Sequence, residues 1–299
     1  MSGWHIGVIG GSGLYDPGAL DDAQEIAVES PFGQPSGPIT TGTLGGVKFT
    51  FIARHGAGHV LSPSHVNFRA NIDVLKRAGV TDVLAISAIG SLREEMAPGS
   101  FVAVDQLIDR TVGGSGGRER SFFGDGIVAH VPLADPVCPR LSDLAAAAAE
   151  KAGATVHRGG TYVAIEGPQF STRAESHLYR QWGADVIGMT AMPEARLARE
   201  AELPYALVGM VTDYDCWRDA AEDVDVADIV RVMGENADKA RALLTELAAA
   251  LPPERTASPI DTVLDTAIIT PREKWSTEAA LKLDAVARRL VDFFPKAKD

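Results

Sequence analysis

The stretch Thr212-Asp213-Tyr214-Asp215-Cys216-Trp217 sets two carboxylates directly behind an apolar run, residues 205–211. That run reads as a buried strand of a parallel sheet. Ligands of open α/β sheets bind beyond the carboxyl ends of the strands. In an extended segment Asp213 and Asp215 point to the same side, roughly 6–7 Å apart. Acids that close compete for ionisation, and partial burial pushes one pKa upward. Such a pair offers a proton donor beside a charged acceptor. The plainer alternative is an acidic turn after a strand.

Other strand ends carry polar groups too. Residues 5–9 form a short β-type run that leads into Gly10-Gly11-Ser12-Gly13. Backbone N–H groups of a glycine-rich turn approach an anion closely, and Ser12 adds a hydroxyl. The glycines do not fit a dinucleotide fingerprint, and Pro17 disfavours a helix at Asp16, so a plain tight turn stays open. Residues 47–53 alternate as a strand and deliver Arg54-His55 at its end. Arginine offers a planar fork suited to phosphate, and His55 can donate alongside it. The near-continuous apolar strand 83–88 carries Ser87 and leads into Ile89-Gly90. A hydroxyl and free N–H groups there suit an anion, as does a simply buried serine. Thr190 closes the run 186–190. Glu166 follows the strand 161–165 and is a candidate hydroxyl-binding carboxylate. His130 taken alone reads as structural.

These groups need a scaffold of alternating strands and helices. Phe68, Ile72 and Leu75 share one face of a helix over 67–78. Residues 101–108 read as one strand, and 141–151 as an alanine-rich helix. Ser171 or Thr172 caps a helix that runs to Trp182. A further helix follows Thr190 through Arg199. A long amphipathic helix covers 224–251 and stops at Pro252-Pro253. Short helical stretches are expected at 262–269 and 277–294. The segment 111–126 is rich in glycine and reads as a functional or mobile loop. The fold class expected is α/β, with one domain built on a mixed, mainly parallel central sheet flanked by helices. The domain spans 1–250. Residues 251–299 form a helical extension packed on it or on a neighbouring subunit.

Composition narrows the partners. The chain has 299 residues, 45% of them apolar, and a net charge of −12 with no basic stripe. That argues against nucleic acid or an anionic membrane as partner, while leaving room for a small anion held by local donors. Cys138 and Cys216 give neither metal spacing nor a disulfide framework. No signal peptide or membrane helix is read, and a reducing cytoplasm is the expected setting.

Five segments, in order, carry a resemblance. They are Gly10-Gly11-Ser12-Gly13-Leu14, Arg54-His55-Gly56, Gly90-Ser91-Leu92-Arg93-Glu94-Glu95, Glu166-Gly167-Pro168-Gln169-Phe170-Ser171, and the acid stretch at 212–217. Together they resemble the 5′-methylthioadenosine phosphorylases of the trimeric purine nucleoside phosphorylase family. The resemblance implies phosphorolysis of 5′-methylthioadenosine to adenine and 5-methylthioribose 1-phosphate, in purine and methionine salvage. It implies that Ser12, Arg54, His55, Ser87, Ala88 and Thr190 hold phosphate, Ala88 through its backbone N–H. Met189 would contact ribose, and Phe170 and Ser171 would line the purine pocket. Asp213 would protonate purine N7 and Asp215 would accept from the 6-amino group. His130 would reach a neighbouring subunit's substrate. Val226 and Val230, one turn apart, would wall the 5′ group.

No metal or organic cofactor is expected; inorganic phosphate is the co-substrate. A homotrimer or dimer of trimers is implied. The chain lacks a Cys-x-Cys in its extension, which some members carry, and Leu264 and Ile268 there approach a 5′ pocket or build subunit contacts. Relatives that prefer 6-oxopurines carry Asn in place of Asp213, so a 6-oxopurine or 5′-methylthioinosine phosphorylase is the nearest rival. A hydrolase is a third reading. A nucleotide-binding oxidoreductase or sensor built on the glycine loop is the rival from another class.

Overall fold

The computed structural model describes residues 3–11, 20–113, 118–124, 126–218 and 226–291, with only the backbone of 226–229. Its strands are β1 (His5–Gly10), β2 (Asp21–Ile26), β3 (Ile39–Leu44), β4 (Val47–Ala53), β5 (Asp82–Ser91), β6 (Phe101–Val104), β7 (Gln106–Arg110), β8 (Val156–Arg158), β9 (Thr161–Ile165), β10 (Val186–Gly188) and β11 (Tyr205–Asp213). The main helices are α1 (Phe68–Arg77), α2 (Pro139–Lys151), α3 (Arg173–Gln181), α4 (Ala191–Glu200) and α5 (Val226–Ala250). All eleven strands join in one sheet, mixed but mainly parallel.

The long strand β5 is the hub. One edge pairs with β11 along residues 83–90. The other edge pairs with β1 over residues 82–85, then with β10 at residues 90–91. Between those two partners, residues 86–89 have no strand neighbour on that side among the described residues. The sheet therefore opens in its middle, beside Ser87 and Ala88.

Alternation along the strands explains the two apolar cores. Leu84, Ile86, Ala206 and Val208 pack with Leu141 and Ala145 of α2 and Leu243 and Leu247 of α5. Val83, Ala85, Leu207 and Val211 face the other way, against Ile72 and Leu75 of α1 and Leu197 of α4. A sheet covered on both faces needs runs that are apolar throughout, which is how residues 83–86 and 205–211 read. Thr172 caps α3 through a full capping box with Glu175.

Some local expectations change. Residues 101–108 form two strands, because β6 pairs with β11 and β8 while β7 turns to β9. The break falls at Asp105, whose Oδ1 accepts from the Gly160 N–H at 3.0 Å. Strand β2 carries Asp, Gln and Glu and is exposed throughout, as suits a sheet edge, and composition hides it. The helix expected over 277–294 is broken into α7 (Thr277–Lys282) and α8 (Arg288–Val291), preceded by the short α6 (Leu264–Ala267). Residues 292–299 lie outside the described residues.

The C-terminal segment lies on this chain's own core. Arg255 pairs with the buried Asp82 and with Asp261. Arg289 pairs with Glu202 and Asp265, and Arg77 with Asp284. Ile268 bridges Ala129, and the His130 N–H donates to the Ala267 carbonyl at 2.8 Å.

Glu200, at the end of α4, anchors the far end of the glycine-rich segment. Its carboxylate accepts from Ser121 Oγ at 2.8 Å and from the Phe122 N–H at 2.6 Å. Burial outweighs these bonds and pushes its pKa from 4.5 up to about 7. The folded state thus favours neutral Glu200, and that stabilisation is lost as pH rises from the unfolded value through about 7. Glutamine is isosteric and does not titrate. Glu200→Gln should therefore gain thermal stability over the parent by a few degrees between about pH 5 and about pH 8. Unfolding midpoints across that range check this; a difference independent of pH would remove the role assigned to the Glu200 charge.

Candidate functional site

A cavity of about 320 Å³ occupies the opening beside β5. Arg54, His55, Ser87, Ala88 and Thr190 line it, together with Phe170, Ser171, Met189, Asp213 and Asp215. Ten residues spread over five stretches of sequence thus share one space. Ser12 lies outside the described residues, and the adjoining Gly11 lines the cavity. Gly90 has no room for a side chain. A Cβ there would meet Ile187 Cγ2 at 2.9 Å and Asp213 Oδ1 at 3.0 Å.

The planar fork of Arg54 does not face the cavity. Its Nε and Nη2 bind the Glu194 carboxylate at 2.8 and 2.9 Å, and Nη1 and Nη2 donate to the Ile86 and Ile9 carbonyls at 3.3 Å each. Both partners are buried, at 2% and 1% exposure. Burial opposes the arginine's charge, but Glu194 outweighs it and holds Arg54 protonated. The fork expected for an anion is committed inside the protein, because a buried cation needs a counter-charge when no ligand is bound.

His55 also differs from expectation. Its Nδ1 donates to the Leu61 carbonyl at 2.8 Å, and its ring stacks on His59 at 4.2 Å. Burial, then the neighbouring Arg54 charge, lowers its pKa to about 4. At neutral pH the ring is uncharged, with Nδ1–H spent and Nε2 an acceptor. It offers the cavity a lone pair rather than an N–H. Ser87 Oγ and Thr190 Oγ1 lie 3.3 Å apart. Thr190 stands at the N-terminal cap of α4 without capping it, and its hydroxyl meets Ser87 at the cavity instead.

The acids reach the cavity by a route that simple alternation does not give. The β5–β11 register shifts between Val211 and Asp213, and Asp215 adopts φ 51°. The chain turns, so the pair is not two steps of one extended strand. Asp213 Oδ1 accepts from the Asp215 N–H at 2.8 Å and Oδ2 from Thr212 Oγ1 at 2.7 Å. Burial nevertheless raises the Asp213 pKa against both bonds. Burial, opposed by Ser176 and assisted by Asp213, raises that of Asp215. Asp215 Oδ2 is buried without a partner of hydrogen-bonding geometry. Tyr214 points away and donates to the Glu94 carbonyl at 3.1 Å.

Glu166 is not a cavity residue. It accepts from the Val112 N–H at 2.7 Å, from Ser64 Oγ and from Arg118. Arg118 carries no signal in the sequence beyond a charge among glycines. In the fold it is 2% exposed and donates to the Met192 and Glu166 carbonyls at 2.8 and 2.7 Å, and to Met189 O. The glycine-rich segment thus sends a buried arginine to the backbone beside Met189 of the cavity.

The residues expected around a 5′ group are dispersed. His130 is exposed and does not line this chain's cavity. Val230 is 61% exposed and stands off the cavity wall, and the Val226 side chain lies outside the described residues. Met233 and Ala237 form that wall instead. They lie seven residues beyond Val226 and Val230, two turns along the same helical stripe. His59 and Pro63 add to the lining. Among the described residues, no group of three or more His, Cys, Asp or Glu is placed to hold a metal ion. No described helix is long and apolar enough to cross a membrane.

Known proteins share this arrangement. The family model described as "Phosphorylase superfamily" matches residues 5–249. The S-methyl-5'-thioadenosine phosphorylase of Bradyrhizobium diazoefficiens is 56% identical over 288 residues, covering 96% of this chain and 98% of its own. That of Cereibacter sphaeroides is 57% identical with the same coverage. A crystal structure of a methylthioadenosine phosphorylase from an antarctic soil metagenomic library superposes with TM-score 0.89 at 45% identity, over 95% of this chain and 98% of that one. A variant of the adenosine/methylthioadenosine phosphorylase of Schistosoma mansoni, in complex with methylthioadenosine, gives TM-score 0.75 at 37% identity over 82% of this chain and 91% of that one. These matches displace the oxidoreductase reading of the glycine loop. With an α/β sheet opened beside β5 and relatives of this likeness along nearly its whole length, the chain belongs to the phosphorylase superfamily.

Proposed function

We propose that the protein catalyses phosphorolysis of 5′-methylthioadenosine, giving adenine and 5-methylthioribose 1-phosphate. The observation that carries this reading is one cavity lined both by two carboxylates, Asp213 and Asp215, and by Arg54, His55, Ser87 and Thr190. Relatives above 50% identity, named S-methyl-5'-thioadenosine phosphorylase, support the choice of nucleoside.

Phosphate sits beside Ser87, the Ala88 N–H, Thr190 and the remaining Nη1–H of Arg54, with Ser12 completing the set. His55 Nε2 accepts from a P–O–H group. A phosphate oxygen bonds to the anomeric carbon as the bond from that carbon to purine N9 breaks, and its electron pair passes into the purine. The transition state resembles an oxocarbenium ion, so a fixed anion next to it helps by proximity and by charge. Asp213, whose burial favours the protonated form, gives its proton to N7. Asp215, which also lines the cavity, accepts from the 6-amino group. Phe170 and Ser171 flank the base, and Met189 the ribose. Met233 and Ala237, which form the helical wall of the cavity, receive the methylthio group.

This chemistry needs no metal and no organic cofactor; phosphate is a co-substrate. A homotrimer, or a dimer of trimers, is the assembly we propose. Exposed apolar Val112, Phe170, Leu178 and Trp182 favour burial against another subunit. His130, exposed and tied to Ala267, is free to reach a neighbour's cavity in such an assembly. A cytoplasmic setting fits two cysteines outside any disulfide.

Base release from adenosine, inosine and their 5′-methylthio forms, each with and without phosphate, tests the reaction. Phosphate-dependent release, fastest from 5′-methylthioadenosine, is expected. Release without phosphate would mean a hydrolase. Asp213→Asn should lower kcat/KM for 6-aminopurine nucleosides by about 10²–10⁴ and weaken the preference for them. Unchanged selectivity would remove Asp213 from N7.

Because Asp213 acts in its protonated form, activity should fall as pH rises through its raised pKa. Thr212→Val removes a bond that favours the carboxylate, so the alkaline limb of the kcat/KM profile should move to higher pH. A limb that stays in place would assign it to another group.

A further inference from the structure

Four of the five N–H groups of Arg54 are used inside the protein. Nε–H and one Nη2–H meet Glu194 at 2.8 and 2.9 Å. The other Nη2–H goes to the Ile9 carbonyl and one Nη1–H to that of Ile86, both at 3.3 Å. One Nη1–H remains for the cavity that Arg54 lines. Glu194 is fixed in turn, because Tyr205 donates to its Oε1 at 2.9 Å and both residues are 1% exposed.

We propose that Glu194, held by Tyr205, is a positioning residue that sets the angle at which Arg54 meets phosphate. The inference rests on the phosphorolysis reading above. An arginine side chain is long and rich in rotamers, and two parallel bonds to a carboxylate reduce these to one. The pair is neutral overall, and His55 beside it is uncharged, so phosphate is met by a directed N–H and hydroxyls instead of a free cation. Tyr205 also begins β11, the strand that ends at Asp213. One rigid strand therefore braces the phosphate side at its start and carries the purine acid at its end.

Steady-state kinetics with phosphate and nucleoside varied in turn test the proposal. Glu194→Gln sets an amide N–H₂ against an arginine donor. It should raise the phosphate KM about tenfold to hundredfold, with the nucleoside KM within about threefold of the parent. Tyr205→Phe keeps the core and should shift the phosphate KM the same way by about threefold, so it decides the matter even where Glu194→Gln fails to fold. With Arg54→Ala as background, adding Glu194→Gln should cost nothing further, since Glu194 acts through Arg54.

A folded Tyr205→Phe with unchanged or lowered phosphate KM overturns the proposal, and so do additive losses in the double variant. A parent that releases adenine without phosphate overturns the phosphorolysis reading and this inference with it. A phosphate-dependent parent with unaffected variants overturns this inference alone.

Discussion

The structure turns on a change of neighbours along one edge of β5. β1 holds the first half of that edge and β10 the last residues, and the gap between them exposes the stretch that carries Ser87 and Ala88. A continuous sheet would have paired every backbone group there and left no room for a ligand. The opening is held by packing on all sides. β11 secures the opposite edge, α1 and α4 cover one face, and α2 and α5 cover the other. Arg54 places an N–H on the Ile86 carbonyl at the gap and satisfies part of what the missing strand leaves.

Charge is arranged in the cavity by cancellation and burial. Arg54 is neutralised by Glu194, and His55 is kept uncharged by burial and by Arg54. Asp213 and Asp215 are acids whose burial favours their protonated forms. The cavity therefore holds directed donors and acceptors with little free charge of its own. Such preorganised dipoles stabilise charge that develops during a reaction without having to reorganise.

Parts remote from the cavity hold its walls. Arg118 reaches in from the glycine-rich segment and joins Glu166, Met189 and Met192, while Glu200 anchors the other end of that segment. Residues beyond α5 lie against the same core through Arg255 and Arg289. Buried arginines that donate to several carbonyls act as fixed struts, since removing any one leaves several polar groups unpaired.

The sequence alone determined which strand ends line the cavity. Apolar runs that end in polar groups are visible without coordinates, and Arg54, His55, Ser87, Thr190, Asp213 and Asp215 all came into one cavity. Periodicity also revealed α1 and the central strands, because local pattern and burial agree there, and a capping residue revealed α3. Only the tertiary structure decided how those side chains are engaged. Glu194 lies 140 residues from Arg54 and looks like any helical acid, yet it takes the arginine's fork. A distant glutamate of this kind leaves no periodic or motif signal. Arg118 was hidden for the same reason, since its role depends on contacts made far along the chain, whereas the edge strand β2 was hidden by its polar composition. The acid pair with which the sequence reading began kept its place, but a register shift and a left-handed residue bring it there instead of strand alternation. Backbone irregularities of that kind are settled by neighbouring strands, and no spacing of residue types records them.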